Sequence, residues 1–178
     1  MSARDAAGEV SPAAFRDVLG SLPTGVVIVT ADDATQPVGM SCNSFTSVSL
    51  EPPLVSFCAA NTSTTWPRLR TARTLCVNVL ASHHEEASRG FSRRDVDRFA
   101  GHRWHRRATG PGLDDAVAWI DCRIEQEHDA GDHVIVVARV LALEAREDAE
   151  ALVFWRGRYG SFAAHAKAAE DDAPGLRP

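Results

Sequence analysis

A run of hydroxyl side chains follows one of the apolar segments of the chain. The sequence Asn61-Thr62-Ser63-Thr64-Thr65 comes directly after LVSFCAA and precedes Trp66-Pro67 and a charged, helix-like run. Hydroxyls at the start of a helix lie beside free backbone N–H groups, where the helix dipole favours an anion. The pattern therefore predicts a phosphate-binding site built without a lysine. Ser and Thr are also the ordinary cap residues of helices, so capping alone remains the alternative.

Small and hydroxyl-bearing residues crowd the segment from Gly39 to Ser49, which reads GMSCNSFTSVS. A strand that served burial alone would carry bulkier side chains. Gly39 would let the backbone approach a flat ligand closely, and Asn43 could hydrogen-bond the edge of a heteroaromatic ring. The alternative is a polar edge strand with a solvated Ser/Thr face.

A titratable pair, Asp132 and His133, stands after Gly131 and before the apolar run VIVV. A neutral imidazole at this position could hydrogen-bond or stack against a substrate ring or carboxamide. A turn aspartate followed by a solvent-exposed histidine at the start of a strand is the alternative.

The segment Trp155-Arg156-Gly157-Arg158-Tyr159-Gly160 combines two cations with two aromatic rings. These side chains could contact an anionic dinucleotide, or they could cover one end of a barrel. The histidines at 83, 84, 102 and 105 lack the spacing of a metal site, so we expect no bound metal. No Ser lies in a G-x-S-x-G motif, which leaves hydrolase chemistry without support.

Composition and charge narrow the possible partners. The chain has 178 residues and a formal net charge of -5, and its basic residues are interleaved with acidic ones, so nucleic acid is not an expected partner. Four cysteines lie far apart and are expected to be buried free thiols in a reducing compartment. Neither an apolar leader nor a membrane-spanning stretch is present, and these features together predict a cytoplasmic protein.

The elements that would position these residues are mostly strands. Ser11-Pro12 begins a short amphipathic helix, and β-branched runs then predict about seven strands, the last being ALVFWRGRYGSF. Further helices are expected only after Asn61 and around HHEEASRGFSRRDVDRF. With few helices and no regular βαβ alternation, the sequence predicts a mainly antiparallel β-barrel. We expect one domain over residues 11–162, with mobile tails at 1–10 and 163–178.

Several motifs in a fixed order resemble one known family. They are FRDVLGSLPTGVVIVT, PVGMSCNSFTSVSLEPPLV, CVNVL, DRFAG, GDH and RGRY. As a combination over about residues 13 to 162, they resemble the short-chain flavin reductases, the reductase components of two-component flavin monooxygenases. No single one of these motifs would suffice.

The resemblance implies a fold and a set of contacts. The fold would be an FMN-binding split barrel, a Greek-key β-barrel that dimerises and binds flavin near the subunit interface. By matching position, the isoalloxazine and ribityl chain would lie along Pro37, Val38, Gly39, Met40, Ser41, Asn43 and Ser44. Further flavin contacts are implied at Cys58, Ala59 and Ala60, at the phosphate loop Ser63, Thr64 and Thr65, and at Gly90 and Phe91. His133 and Tyr159 match positions on the nicotinamide side.

The implied function is an NAD(P)H:flavin oxidoreductase that uses FMN or FAD, with NADH or NADPH as hydride donor, and hands reduced flavin to a partner monooxygenase. Hydride transfer between stacked rings needs orientation more than acid–base side chains, so His133 is the one candidate catalytic residue. A flavin carrier without reductase activity is the alternative, and an unrelated barrel with capping serines is a third possibility. Many relatives carry a Lys or Arg in the phosphate loop; the neutral loop here suggests modest flavin affinity.

Overall fold

The computed structural model describes residues 10–33 and 35–163. The tails predicted at 1–10 and 163–178 lie outside the described residues, except for Val10 and Ala163. Strands make up most of the regular structure. The helices are α1 (Pro12–Leu19), α2 (Trp66–Ala72) and α3 (Glu85–Phe91), with a 3-10 turn at Ser82–His84. The strands are β1 (Thr24–Gly25), β2 (Val27–Asp32), β3 (Pro37–Cys42), β4 (Thr46–Leu50), β5 (Pro53–Ala60), β6 (Thr74–Val79), β7 (Trp104–Arg106), β8 (Pro111–Leu113), β9 (Ala118–Ala130), β10 (His133–Ala145), β11 (Leu152–Trp155) and β12 (Arg158–Ser161).

One antiparallel sheet of seven strands dominates the described residues, in the order β3-β2-β6-β9-β10-β5-β4. A three-stranded sheet, β1-β11-β12, and the pair β7-β8 accompany it. The mainly β fold with a few helices is therefore confirmed, and the sheets are consistent with the predicted split barrel. None of the helices in these residues has the length and hydropathy needed to span a membrane.

The burial pattern of each strand follows its place in the sheet. β2 lies between β3 and β6 and is buried from Val27 through Ala31, which explains its continuous β-branched run. In β5 buried and less buried positions alternate, with Val55, Phe57 and Ala59 facing the core. The intervening side chains of β5, including Cys58, are only partly buried and lie on the opposite face of the strand.

Strands β9 and β10 form a long antiparallel hairpin whose turn lies in the segment Asp129-Ala130-Gly131-Asp132, which is rich in turn residues. The register pairs His133 with Ala130 on β9 and with Ala60 on β5. Gly131 takes a φ of 67° in the connecting turn, a conformation that favours glycine. The hairpin thereby brings His133 beside the end of β5.

The carboxyl-terminal strand was predicted as one element and is two. Arg156 and Gly157 both have positive φ, 48° and 75°, and form a two-residue turn between β11 and β12. The turn is compatible with the right-handed twist of the flanking strands, so the apparently continuous run folds back on itself. Tyr159 pairs with Phe154 and lies on β12 rather than at the end of a single strand.

The opening helix α1 forms as predicted, with the Ser11 hydroxyl accepting a hydrogen bond from the backbone N–H of Ala14 at 3.2 Å. Its apolar face is not buried in this chain, since Phe15 and Val18 are 57% and 62% exposed. Leu22, just beyond the helix, is 62% exposed. The amphipathic pattern therefore predicted the helix correctly. The apolar face of the helix does not, however, pack against the core of its own chain.

Candidate functional site

Three parts of the fold enclose a cavity of about 360 Å³, here called the smaller cavity. The carboxyl end of β3 and the residues after it supply one wall, the end of β5 supplies another, and α3 with the following residues closes the third. Many of the predicted flavin contacts line it: Met40, Ser41, Asn43, Ser44, Cys58, Ala59, Ala60, Ser63, Thr64, Thr65 and Phe91, together with His133. The structure therefore brings together residues that are separated by up to 93 positions in sequence.

Ser44 fixes the relation between two of these walls. Its hydroxyl accepts a hydrogen bond from the backbone N–H of Cys58 at 2.8 Å and lies 3.1 Å from Sγ of Cys42. Cys42 is buried, and burial raises the pKa of its thiol. Cys58 was expected to be buried as well, but it is only half-buried, because its position on β5 faces the smaller cavity instead of the core.

The hydroxyl loop 61–65 both caps a helix and lines the cavity, so the two interpretations are compatible. Oγ of Ser63 accepts hydrogen bonds from the backbone N–H groups of Thr65 and Trp66, at 3.3 and 3.1 Å. The capping is done by Ser63, while Thr65 at the cap position makes no such bond. Thr62 and Thr64 are exposed, which leaves their hydroxyls accessible at the cavity.

A cation missing from this loop is supplied from the segment after α3. The guanidinium of Arg98 donates hydrogen bonds to the carbonyl oxygen of Gly39, at 2.7 Å, and to the hydroxyl of Thr65. Arg94 donates to the carbonyl oxygen of Thr62 at 3.4 Å. Across residues 10–33 and 35–163 neither arginine forms an ion pair with a carboxylate. Both charges are therefore available to an anion beside the hydroxyl loop.

Partial burial of Arg98 has an electrostatic consequence. Burial, and then the positive charge of Arg68, lower the pKa of the Arg98 guanidinium, although it stays charged near neutral pH. A cation that has lost part of its hydration gains more from an incoming anion than a fully solvated one does. Arg98 is therefore a candidate partner for the phosphate that the loop sequence predicts at this position.

A second, larger cavity of about 770 Å³ adjoins the first. Thr64, Thr65 and Arg98 line both cavities. Pro37, Val38 and Gly39, predicted to contact flavin, line the larger cavity and not the smaller one.

At the hairpin end of the smaller cavity, Asp132 and His133 form a hydrogen-bonded pair. Nδ1 of His133 lies 2.7 Å from the Asp132 carboxylate, which lowers the pKa of that carboxyl. The ionised carboxylate can only accept, so Nδ1 carries the proton and Nε2 remains for another partner. The His133 side chain is 44% exposed, as expected for a solvent-exposed histidine at the start of a strand. It also lines the cavity, as expected for a residue that contacts a ligand.

Tyr159 reaches the site through a chain of three hydroxyls. Its OH lies 2.9 Å from Oγ of Ser88, which lies 3.0 Å from Oγ of Ser41. Ser88 is completely buried, and the guanidinium of Arg89 lies over the Tyr159 ring, 4.8 Å from its centre. A separate cavity of about 210 Å³ is lined by Tyr159, Ser88, Ser41 and Asn43, so Tyr159 lies on the other side of Ser41 from the smaller cavity.

Two of the predicted glycine contacts have a different physical basis from the expected one. A Cβ added to Gly39 would lie 2.7 Å from Cε1 of Phe91, so this glycine makes room for the Phe91 ring. The contact of Gly39 with a flat ligand stays a prediction, while the structure shows that the Phe91 ring approaches this glycine. Gly90 lies in α3 and lines none of the cavities described here, although its neighbour Phe91 lines the smaller one.

Comparison with known proteins decides the family. A family model described as flavin reductase like domain matches residues 19–163. The chain belongs to this flavin reductase-like family. It is 44% identical over 157 residues to a flavin reductase from Pseudomonas putida, covering 87% of this chain and 92% of that protein. It is 43% identical over 155 residues to the reductase subunit of a flavin-dependent monooxygenase from Rhodococcus jostii, covering 86% and 80%.

Solved structures agree with this assignment. An NADH:FAD oxidoreductase from Streptomyces globisporus, solved in complex with NAD and FAD fragments, superposes with a TM-score of 0.85 at 34% identity. The match covers 94% of this chain and all of that one. The flavin reductase component of a bacterial two-component tryptophan halogenase superposes with a TM-score of 0.80 at 33% identity, covering 87% and 100%.

The donors of a flavin reductase-like chain can be tested against the chemistry of flavin. The smaller cavity offers small side chains, hydroxyls and the Asn43 amide to a planar ring with polar edges, and it ends at hydroxyls and Arg98, which suit a phosphate. The residues present therefore fit a flavin. Among the described residues, no group of three or more His, Cys, Asp or Glu side chains suits a metal ion.

Sequence reasoning missed several residues of this flavin reductase-like site. The DRFAG motif marked the right segment for Arg98 but gave it no role, and Arg94 lies in a charge run typical of a solvated loop. Ser88 stands in a helix without any local pattern that marks it. Each is recognised only from contacts with residues more than 30 positions away in sequence.

Proposed function

We propose that this protein is an NAD(P)H:flavin oxidoreductase that reduces FMN or FAD with NADH or NADPH and supplies reduced flavin to a partner monooxygenase. One observation carries the proposal: a single cavity combines a wall of small and hydroxyl residues, a hydroxyl loop with Arg98, and the His133 imidazole. These are the parts that a planar ring, its phosphate and a second ring stacked on the first require. The names of the relatives point in the same direction.

Bound flavin would supply the redox chemistry by accepting a hydride from the nicotinamide. Residues of the chain supply position. Ser41, Asn43 and Ser44 offer hydrogen bonds along the ring, and Thr64 with Arg98 holds the phosphate. His133 presents Nε2 to the nicotinamide carboxamide or ring, and the carboxylate of Asp132 fixes its orientation. The catalytic gain comes from holding two rings together, without a general acid or base.

The test is steady-state kinetics with both nucleotides and both flavins. Purified protein should oxidise NADH or NADPH when FMN or FAD is present, as followed by nicotinamide absorbance. Absence of turnover in all four combinations would contradict the proposal. Flavin binding without turnover would favour the carrier alternative instead.

The proposal extends to a homodimer. Several exposed apolar residues lie in two regions, one on and after α1 and the other on β4 and β10, where Leu50 is 94% exposed and Leu143 70% exposed. Groups of exposed apolar residues can mark protein–protein interfaces. Light scattering at micromolar concentration should give twice the chain mass, and Leu143→Asp should shift it toward the monomer. A monomeric mass for the unmodified protein would contradict the dimer.

A partner oxygenase and a cytoplasmic location complete the proposal. The four cysteines are free in the structure, in keeping with a reducing compartment. Coupling is tested by adding a flavin-dependent monooxygenase of the same organism to the reductase and measuring substrate oxidation against peroxide release. Substrate oxidation should require both proteins.

A further inference from the structure

The larger cavity has no role in the function proposed above. A flavin ring, ribityl chain and one phosphate are accounted for by the smaller cavity and by Thr64, Thr65 and Arg98. The larger cavity begins at these same three residues and extends away from them, with about twice the volume. Its volume of about 770 Å³ lies within the range of ligand-binding cavities. A ligand that continues beyond the phosphate would enter it.

The positive charges of this cavity lie where such a ligand would carry negative charge. Arg98 stands at the boundary between the two cavities, and Arg68 lines the larger one. Two hydrogen bonds to one carboxylate oxygen of Asp33, at 2.7 and 2.5 Å, hold the Arg68 side chain in place. The Arg68 side chain is nevertheless 41% exposed, so its remaining donors can reach a second anion. Two guanidinium groups within one cavity suit a diphosphate.

Beyond the arginines, the cavity offers apolar and aromatic surface as well as hydrogen-bond acceptors. Phe99 and Trp104 line it and contact each other edge to face, with ring centres 5.7 Å apart. Val96 also lines it and is 50% exposed. The carboxylates of Asp95 and Asp97 lie on the same wall and could accept hydrogen bonds from ribose hydroxyls. A nucleoside has these complementary parts, an apolar heteroaromatic base and a polyhydroxylated sugar.

We propose that the larger cavity binds the adenylate half of FAD, and that it makes FAD the preferred flavin of this protein. The inference rests on the proposed function, because it takes the flavin phosphate to lie at Thr64, Thr65 and Arg98. FMN and FAD share the ring, the ribityl chain and the first phosphate, so both use the smaller cavity. Only FAD has a second phosphate, a ribose and an adenine that can occupy the larger one. The adenylate half of a nicotinamide dinucleotide has the same chemistry, but it need not begin at the flavin phosphate.

The experiment compares the affinities of FAD and FMN in variants that fill the larger cavity. Ala100 lines it and is exposed, so Ala100→Trp adds bulk there without disturbing the core. Ala108→Trp is the matched control, at an exposed residue that lines none of the cavities described here. Flavin fluorescence quenching gives both dissociation constants in the absence of any nucleotide. Val96→Trp repeats the test from another position if Ala100→Trp does not fold, as judged by circular dichroism.

For the unmodified protein we expect FAD to bind at least about tenfold more tightly than FMN, a difference of about 1.4 kcal/mol. Ala100→Trp should remove most of this preference by weakening FAD, with the FMN constant changed by less than about threefold, and Ala108→Trp should keep the preference. AMP should compete with FAD and not with FMN.

Two results would overturn the proposal while leaving the reductase function intact. One is equal affinity for FMN and FAD in the unmodified protein. The other is an Ala100→Trp variant that keeps its FAD affinity but shows a raised KM for NADH or NADPH with FMN as acceptor, which would assign the cavity to the nicotinamide dinucleotide. Failure of the proposed function looks different, because neither flavin would then bind or be reduced.

Discussion

The Asp132 carboxylate lies 2.7 Å from Nδ1 of His133, while the His133 side chain lines the cavity proposed for flavin. The Asp132 side chain is 95% exposed and the His133 side chain 44% exposed, so the pair faces solvent at the end of the hairpin. An exposed hydrogen bond contributes little to stability. The hydrogen bond instead fixes the orientation and the tautomer of the imidazole.

Substitution of the pair should affect the nicotinamide more than the flavin. We expect His133→Ala to lower kcat/KM for the nicotinamide substrate by about tenfold or more, and Asp132→Asn by about threefold, because Asp132 acts through His133. Flavin dissociation constants should change by less than about twofold. The measurements are steady-state kinetics at saturating flavin and fluorescence quenching.

His128 is the matched control for these substitutions. It lies on the same hairpin, hydrogen-bonds Gln126 and does not line the cavity, so His128→Ala should leave both constants unchanged. Equal losses of flavin affinity and turnover in His133→Ala would argue for a structural role of the imidazole.

Arg98 should recognise the flavin phosphate rather than the flavin ring. We expect Arg98→Ala to weaken FMN binding by about tenfold to a hundredfold, since a charge-assisted hydrogen bond to a phosphate contributes about 1.5–3 kcal/mol. Riboflavin, which lacks the phosphate, should bind with nearly unchanged affinity. Titration of both ligands at two salt concentrations measures the difference, and Arg98→Lys should recover part of it.

The neighbouring Arg93 provides a control, because its side chain is exposed and only its carbonyl oxygen contacts Arg98. Arg93→Ala should therefore bind FMN normally. If Arg98→Ala weakened riboflavin as much as FMN, the arginine would be holding the Gly39 and Thr65 backbone segments together instead of binding phosphate.

The strands could be predicted from sequence because their burial leaves a local pattern of β-branched and apolar residues. Val27–Asp32 and Thr74–Val79 lie in the middle of a sheet, and both are rich in the β-branched residues from which the strands were predicted. The division of the final segment into β11 and β12 was missed because Arg156 adopts a positive φ, which an arginine side chain does not favour. The strands β7 and β8 were missed because three residues are too few to show the alternation of apolar and polar side chains that marks a strand.

The site was predicted only where its residues share a segment. Residues 40–44 and 58–65 lie in two such segments, and the cavity joins them. Arg98 belongs to the same site through contacts with Gly39 and Thr65, 59 and 33 positions away. Such contacts depend on how the chain returns to the sheet, which hydrophobic periodicity does not encode.

The half-buried His84 should make stability depend on pH. Burial, and then the charge of His83, lower the pKa of His84 from 6.5 to about 4. Its Nδ1 also accepts a hydrogen bond from the backbone N–H of Ala81 at 3.2 Å, which protonation would abolish. Between about pH 6.5 and pH 4 the unfolded chain binds more protons than the folded one, so stability falls as pH falls through this window. For a half-buried group we expect a loss of roughly 1–2 kcal/mol.

Urea unfolding at several pH values measures this loss. His84→Asn should flatten the dependence in the window, whatever its own stability, while His83→Asn, at an exposed neighbour, should keep most of it. An unchanged slope in His84→Asn would assign the pH dependence to other groups.

Ser88 should couple the stability of the fold to the position of Tyr159. Its buried hydroxyl lies between Ser41 and Tyr159, so Ser88→Ala leaves two hydroxyls without a shared partner. We expect a loss of about 1–3 kcal/mol in the free energy of unfolding, as for a broken buried hydrogen bond. Ser47→Ala, at an exposed position of β4, should lose less than about 0.5 kcal/mol.

Kinetics separates positioning from mere stabilisation in this case. If the Ser41–Ser88–Tyr159 chain positions the ring of Tyr159 for the nicotinamide, Ser88→Ala should raise KM for the nucleotide at temperatures where the variant is fully folded, and Tyr159→Phe should raise it similarly. Ser88→Thr, which keeps the hydroxyl, should recover part of the affinity. A destabilised Ser88→Ala variant with unchanged KM and kcat would limit the role of Ser88 to packing α3 against β3. Loss of the hydrogen bonds from Ser41 and Tyr159 to Ser88 would then have no effect on the bound nucleotide.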